Sequence, residues 1–341
     1  VRWIIAGRDD LPDHVTEMLA GDKRINIYIA QREDLPIKVF EKLAGDEDEE
    51  VRRAIAKRDD LPEHLVEKLA GDYDSEFVRE AIAKRDDLPE HLIERLAGDP
   101  SGEVRWLIAQ RKDLPEHLVE KLAGDEDEDV RRAIAERDDL PEHLVEKLAG
   151  HHYEDVRLAI AGRVDLPEHL VEKLAGDEFN VRAEIARRDD LPEHVIEMLA
   201  GDKNRLVRFW MAGRDDLPDY LVEKLAGDED DDLAVIVRHT IAKRYDLPLH
   251  LIDKLAGDEY EVVRRAIAER DDLPEHLVIK LAGDEDEGVQ KIIAERKHKL
   301  PDAVLEILAG AGVDVKIRLA ARDDLPEGFY DRLVKSMGYT K

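Results

Sequence analysis

The sequence predicts an all-α protein, a right-handed α-solenoid of about thirteen two-helix repeats, and two regularities support this prediction. A Leu-Pro dipeptide recurs at intervals of 24 to 30 residues along the 341-residue chain, and an Ala-Gly pair follows nearly every copy. A fixed period in this range is the signature of a solenoid, in which each repeat buries its apolar face only against its neighbours. The Leu residues of these dipeptides are Leu11, Leu35, Leu61, Leu88, Leu114, Leu140, Leu166, Leu191, Leu217, Leu247, Leu273, Leu300 and Leu325.

The first helix of each repeat starts at the Pro, and the copy at 130–155 shows its signals most clearly. Asp139 can cap the helix and Glu142, three residues later, completes a capping box, with Pro141 in the first turn. An apolar stripe at helical spacing follows. Gly150 is expected to end the helix in the left-handed conformation. This helix is predicted to be the longer of the two.

The second helix has the sequence VRRAIAER in the same copy. The acidic loop before it suits the positive end of its dipole. Because eight residues make barely two turns, part of this helix is open to a 3₁₀ conformation. Neither helix would be stable alone, so stability must come from stacking on adjacent copies.

The repeat pattern V-R-x-x-I-A-x-R-x-x-x-P-x-x-L-L-x-x-L-A-x-D resembles the leucine-rich repeat variant and, more broadly, HEAT-type repeats, over nearly the whole chain. The resemblance implies a superhelix and a protein-binding role. It also implies a ladder between neighbouring repeats, formed by the Arg of Val-Arg and an Asp six residues before it. Breaks are expected at Asn26, Gln290 and Lys316. The pairs at this spacing are Asp46 and Arg52, Asp99 and Arg105, Asp125 and Arg131, Asp202 and Arg208, and Asp258 and Arg264, while the spacing is seven for Asp72 and Arg79 and five for Asp177 and Arg182.

No linker or composition break divides the chain, so residues 1–341 are predicted to form a single repeat array. Residues 323–341 depart from the pattern and are predicted to be a C-terminal capping repeat. The chain begins at Val1 in mid-repeat, which predicts a truncated N-terminal end.

The composition excludes several classes of function. A net charge of −30 disfavours nucleic acid and anionic membranes as partners. The absence of Cys excludes disulfides and thiolate metal sites. No apolar run is long enough to span a bilayer, so no membrane association is expected. No cofactor is predicted, and the compartment is not identified by these features.

The copies differ most at the third and seventh places of the Val-Arg helix, which are neighbours on one helical face. Apolar third-place residues accompany small or uncharged seventh-place ones, as in Trp106 with Gln110 and Phe209 with Gly213. If these helices line a concave face, such side chains form a stripe that recognises a protein or peptide. The candidate partner-binding residues are Trp3, Ile27, Trp106, Leu158, Phe209, Trp210 and His239.

The alternative is that these aromatic side chains fill gaps between repeats. On this point Trp210 and Tyr28, at the fourth place where Ala is usual, are expected to be more buried. Trp3, Trp106 and Phe209 are expected to be more exposed.

No catalytic group stands out, because every Asp-Asp and Glu-His pair recurs at structural places. The recurring His of the Pro helix is interpreted as a solvated first-turn residue rather than a metal ligand, since successive helices pack about 8–10 Å apart. The acidic loops lack the Gly and Glu of an EF-hand. The sequence therefore favours a non-enzymatic binding scaffold. The alternative is a structural protein that self-associates through open solenoid ends or lateral contacts.

Overall fold

The computed structural model describes residues 11–228 and 234–338, and all regular secondary structure in these ranges is α-helical. The prediction of an all-α repeat solenoid is confirmed, because each helix contacts helices next to it in the chain. The chain divides into two compact units, Val1–Leu170 and Val171–Lys341, which are described separately.

The helices alternate between two types, and we call the odd-numbered ones Pro helices and the even-numbered ones Val-Arg helices. The first unit contains α1 (Asp13–Leu19), α2 (Asn26–Ala30), α3 (Ile37–Leu43), α4 (Glu49–Ala56), α5 (Glu63–Leu69), α6 (Glu76–Ala83), α7 (Glu90–Leu96), α8 (Gly102–Ala109), α9 (Glu116–Leu122), α10 (Glu128–Ala135), α11 (Glu142–Leu148) and α12 (Glu154–Ala161). Helix α13 (Glu168–Ala175) spans the boundary. The second unit contains α14 (Phe179–Ala186), α15 (Glu193–Ala200), α16 (Arg205–Ala212), α17 (Asp219–Leu225), α18 (Val235–Ala242), α19 (Leu249–Leu255), α20 (Glu261–Ala268), α21 (Glu275–Ala282), α22 (Glu287–Ala294), α23 (Asp302–Ala309), α24 (Val313–Ala320) and α25 (Phe329–Ser336).

The Pro helices are not the longer ones, and the predicted capping box is wrong. Pro141 has an extended backbone, with φ −60° and ψ 143°, so it precedes α11 as its N-cap and makes no side-chain cap. The Asp139 carboxylate accepts hydrogen bonds from the Arg137 guanidinium instead. Because the Pro lies outside the helix, the Pro helices have seven or eight residues, no more than most Val-Arg helices.

The Gly after each Pro helix from α1 to α23 does not end it in the left-handed conformation, whereas Gly338 after α25 has φ 88°. Positive φ occurs, within the described ranges, at Gly328 and Gly338. Helix α11 ends in a tightened turn, in which the Gly150 N–H donates to the Lys147 carbonyl at 3.2 Å. Some of these glycines instead permit close approach, since a Cβ on Gly201 would lie 2.7 Å from Nζ of Lys224 in the next Pro helix.

The Val-Arg helices are α-helical throughout, so the 3₁₀ alternative is wrong for the described copies. Asp127 caps α10 by accepting from the backbone N–H of Asp129 and of Val130. The turn that follows the helix is tightened, because the Arg137 N–H donates to the Ile134 carbonyl at 3.1 Å.

The core of each unit lies between successive Val-Arg helices and the Pro helices beside them. Val130 and Ile134 of α10 and Leu148 of α11 are fully buried, and equivalent residues are buried in the other copies. Helix α10 contacts α8 and α12 in the first unit, and α18 contacts α16 and α20 in the second. Burying such a side chain stabilises the fold by roughly 1.5–3 kcal/mol, which explains how helices of two turns persist.

The last described helix, α25, begins differently from the others. Gly328, with φ 74°, precedes it in the left-handed conformation, which a residue with a side chain would adopt at a cost. Phe329 and Leu333 bury the inner face of this helix. That residues 323–341 cap the array stays a prediction, and its final residues, 339–341, lie outside the described ranges.

Candidate functional site

The variable places of the Val-Arg helices form an accessible face, which we call the groove face. The seventh-place side chain is exposed in every described copy, from Gln31 to Ala321. The third-place side chain is half-buried in each described copy except the last, where Ile317 is 53% exposed. Trp3 belongs to the predicted set but lies outside the described residues.

Clefts open on the groove face between neighbouring Val-Arg helices. In the first unit, third- and seventh-place residues of α4 and α6 line a cleft of about 410 Å³, with Arg53, Lys57, Glu80 and Lys84 on its walls. The Arg53 guanidinium lies 5.4 Å from the ring centre of Phe77 in this cleft. The third and seventh places therefore meet at one surface, as their spacing predicts.

In the second unit a similar cleft of about 410 Å³ lies beside α18 and α20. Lys243 and Glu269, both seventh-place residues, contribute to its wall together with Tyr245. The charge of the cleft walls thus changes from copy to copy.

Aromatic side chains meet on α16 of the second unit, where Arg187, Phe209 and Trp210 form what we call the aromatic patch. The Phe209 and Trp210 ring centres are 5.3 Å apart in an edge-on arrangement. The Arg187 guanidinium lies 5.0 Å from the Trp210 ring centre, a cation–π contact, and also donates to Glu184 at 3.0 Å. Gly213 lies exposed one turn after Phe209. The patch combines an accessible ring with a positive charge.

The expected burial of Trp210 and Tyr28 is wrong, since Trp210 is 40% exposed and Tyr28 is 48% exposed. The usual fourth-place residue is Ala, and Ala133 is 5% exposed against its neighbours. A large ring does not fit in the space of a methyl group, so it lies outside. Phe209, expected to be more exposed, is instead half-buried at the edge of this layer.

The other candidate residues are all partly accessible. Ile27, Trp106 and Leu158 are half-buried third-place residues of the first unit. His239 is half-buried in the second unit, where burial and then the charge of Lys243 lower the pKa of its imidazole. Contact between candidate side chains is established for Phe209 and Trp210. Partner binding by these residues stays a prediction.

The Arg of Val-Arg forms a ladder between repeats, but the predicted pairing is wrong. In the copy at Arg105, Nε and Nη2 donate to the Asp125 carboxylate of the next repeat at 2.8 Å, 20 residues further on. The Asp six residues before Arg105, Asp99, contributes its backbone carbonyl, which accepts from Nη1 at 2.7 Å. One Arg therefore holds two repeats together. The rungs are Arg52–Asp72, Arg79–Asp99, Arg105–Asp125, Arg182–Asp202, Arg208–Asp228, Arg238–Asp258 and Arg264–Asp284.

The rungs are buried, with Asp side chains 4–9% exposed. The hydrogen bond to Asp125 raises the pKa of Arg105, against the opposing effect of burial. The break expected at Asn26 is wrong, because its neutral amide donates to the Asp46 carboxylate at 2.6 Å and keeps the rung without an Arg. Gln290 retains the bond to its own repeat, donating to the Asp284 carbonyl at 2.6 Å.

A second ladder, which the sequence analysis missed, explains why the eighth place of the Val-Arg helix is always Arg. Nε and Nη2 of Arg137 donate to Asp139 at 2.8 and 2.7 Å, while Nη1 donates to the carbonyls of Ala109 and Arg111 in the preceding repeat. The hydrogen bond from Arg137 is also the main reason that the pKa of Asp139 is lowered. These arginines join repeats, and Arg85 and Arg270 also contribute to the walls of the two clefts on the groove face.

The recurring His residues lie exposed on the Pro helices, as predicted, and face a carboxylate of the preceding repeat. The distance from His143 Nε2 to Glu120 Oε1 is 3.6 Å, and both side chains are more than half exposed. In the described part of the chain no group of three or more His, Asp or Glu residues could hold a metal ion. Across the same ranges, no helix is long and apolar enough to cross a membrane.

Comparison with known proteins places this geometry in a known class of fold. No family model and no curated protein matches the chain. A solved structure described as a leucine-rich repeat variant with a novel repetitive protein structural motif is 26% identical, with a TM-score of 0.54 over 66% of this chain and 88% of that one. This chain is a repeat solenoid. The resemblance seen in the sequence is thereby confirmed, and a repeat solenoid of this type is a binding or structural scaffold, typically without catalytic activity.

Proposed function

We propose that this repeat solenoid is a non-enzymatic scaffold that binds a protein or peptide through the groove face. The observation that carries the proposal is the aromatic patch, in which an accessible Trp210 ring contacts Phe209 and the Arg187 guanidinium. Trp and Arg are the residues most enriched in interface hot spots. Most arginines of the two ladders are held in contacts between repeats, so copy-specific recognition falls to the groove face.

A selection of displayed peptides on the immobilised protein would test this. For the enriched peptides, Trp210→Ala should raise the Kd by at least about 30-fold, the effect of losing a hot-spot contact of about 2 kcal/mol. Tyr73→Ala is the matched control, because Tyr73 is 91% exposed in a loop away from the groove face and should leave the Kd unchanged. Circular dichroism and light scattering would verify that both variants keep the fold and association state. Peptides that bind Trp210→Ala as tightly as the parent would contradict the proposal.

A second candidate function is structural self-association, which one feature of the last repeats favours. Val313 and Ile317, one helical turn apart on α24, are 56% and 53% exposed, and Tyr330 of α25 is 53% exposed. Such exposed apolar surface can mediate contacts between copies of the chain. Light scattering that grows with concentration in the parent, and not in Ile317→Lys, would favour this function over peptide binding.

A further inference from the structure

One rung of the first ladder lacks its carboxylate. Twenty residues after Arg131, where the other rungs of the ladder carry Asp, the chain has His151. Nη1 of Arg131 donates to the Asp125 carbonyl as in the other copies, but Nε and Nη2 are buried without a hydrogen-bond partner. Arg131 is 4% exposed, and its guanidinium lies 4.7 Å from the ring centre of Tyr153. An almost fully buried cation thus presents two free donors.

His151 occupies the position of the missing Asp in the turn, but it carries an imidazole instead of a carboxylate. Its Nδ1 accepts the backbone N–H of Tyr153 at 3.3 Å, just as Asp125 Oδ1 accepts that of Asp127 at 2.9 Å one repeat earlier. With Nδ1 as an acceptor, the neutral ring carries its proton on Nε2. His151 therefore offers no anionic oxygen to Arg131.

The charges that act most strongly on His151 are positive, although the chain has a net charge of −30. Burial is the main cause of a lowered pKa at His151, and the charges of Arg131, Arg157 and Lys147 lower it further. The turn over this position is accessible, since Tyr153 is 41% exposed and His152 is exposed. The rings of His152 and Tyr153 lie 4.0 Å apart, centre to centre.

We propose that the Arg131 guanidinium binds a carboxylate supplied from outside the chain, in the place that the Asp carboxylate occupies in the other rungs. A guanidinium fork matches a carboxylate in a two-bond geometry, as it does at Arg105 and Asp125. The ligand enters beneath the turn formed by His151, His152 and Tyr153. This site is separate from the groove face and does not depend on the proposed peptide binding.

The carboxylate has two possible sources, a small free acid or an acidic side chain of a bound peptide, and two probes distinguish them. Sodium formate represents the free acid, and acetyl-Gly-Asp-Gly-amide represents the side chain. Each is titrated into the full chain in a carboxylate-free buffer, with sodium chloride at equal ionic strength as the reference. The readout is the NMR resonance of the Arg131 Nε–H, with that of Arg105, whose rung is complete, as the internal control.

We expect a saturable shift of the Arg131 resonance and none at Arg105. In His151→Asp, which fills the position with an internal carboxylate, binding should weaken by more than tenfold. A response to formate alone indicates a free acid, and a response to the peptide indicates a side chain; either supports the site. No saturable shift with either probe, or equal shifts at Arg131 and Arg105, overturns the proposal, and this outcome can be read in the unmutated protein alone.

Discussion

Replacing His151 by Asp should stabilise the protein by completing the ladder at Arg131. In the parent the Arg131 guanidinium is already buried, with Nε and Nη2 unsatisfied. The substitution therefore adds only the desolvation of one carboxylate, and it gains two charge-assisted hydrogen bonds of about 1.5–3 kcal/mol each. Because desolvating a buried ion costs several kcal/mol, the net gain in the free energy of unfolding should be roughly 1–3 kcal/mol.

The matched reverse substitution is Asp125→His, which gives Arg105 the partner that Arg131 now has. Removing one member of a buried ion pair typically costs about 3–5 kcal/mol, so the free energy of unfolding should fall by that amount. Equilibrium unfolding in urea, followed by circular dichroism in a carboxylate-free buffer, measures both changes. If Asp125→His destabilises the protein while His151→Asp does not stabilise it, the Arg131 donors are satisfied in solution and the reasoning is refuted.

The difference between His151→Asp and the parent should also depend on pH. Burial and then Arg131 lower the pKa of His151 in the folded state, so as pH falls below about 6.5 the unfolded chain takes up the proton first. The contribution of His151 to the free energy of unfolding is therefore complete above that pH. It is lost as the pH falls through the pKa that His151 has in the folded state. The introduced Asp stays ionised over this range, so the stability gap should widen between pH 7.5 and 5.5. A gap that narrows would contradict the assignment of a neutral, half-buried His151.

Three further predictions concern the second ladder, the helix ends and acid stability. Arg137→Met should lower the free energy of unfolding by roughly 2–4 kcal/mol, because two backbone carbonyls and a carboxylate lose their hydrogen-bond donor. Arg132→Met on the groove face should change the free energy of unfolding in urea by less than about 0.5 kcal/mol. Equal effects of the two substitutions would contradict the ladder. Gly124→Ala should stabilise the protein by about 0.4–1 kcal/mol, because φ is negative at Gly124 and an added Cβ would meet nothing closer than 3.6 Å. Gly328→Ala should destabilise the protein by about 1–2 kcal/mol. Thermal unfolding measures both changes. The hydrogen bond from Arg137 lowers the pKa of Asp139, so the contribution of Asp139 to the free energy of unfolding is complete above about pH 4 and is lost as the pH falls further. Asp139→Asn should therefore make the free energy of unfolding depend less on pH below about pH 4. An unchanged dependence would argue against this pairing.

The fold could be predicted because every copy repeats the same local signals, whereas the ladder pairing depends on which of two neighbouring Asp residues is chosen. Asp99 lies six residues before Arg105 and Asp125 lies 20 residues after it, and the presence of an Asp on each side does not decide between them. The first interval changes to seven at Arg79 and five at Arg182, whereas the second is 20 in every rung, and this constancy is the signal that identifies the carboxylate partner. The structure shows that both contribute, one through its carbonyl and the other through its carboxylate.

The extended backbone at the Pro explains the error at the helix starts. Pro141 is the N-cap of α11, so Asp139 lies two residues before the helix end that it is predicted to cap. The Asp139 carboxylate instead forms two charge-assisted hydrogen bonds with the Arg137 guanidinium. At the candidate site the error concerns side-chain size, because the space that a fourth-place Ala occupies is too small for the Trp210 ring, which therefore lies 40% exposed beside Phe209.

The two ladders also explain why the groove face is free to vary. Arg105 and Arg137 join repeats through charged groups and backbone carbonyls that are the same in most copies, so cohesion does not require any particular residue at the third and seventh places. Residues there can change from Arg and Lys to Trp or Phe at little cost to the array. Where a ladder position itself changes, as at His151, the ion pair between repeats is lost and two donors of Arg131 are left unsatisfied. Recognition in this protein should therefore be sought where one copy differs from the next, and the aromatic patch and the Arg131 rung are two such places.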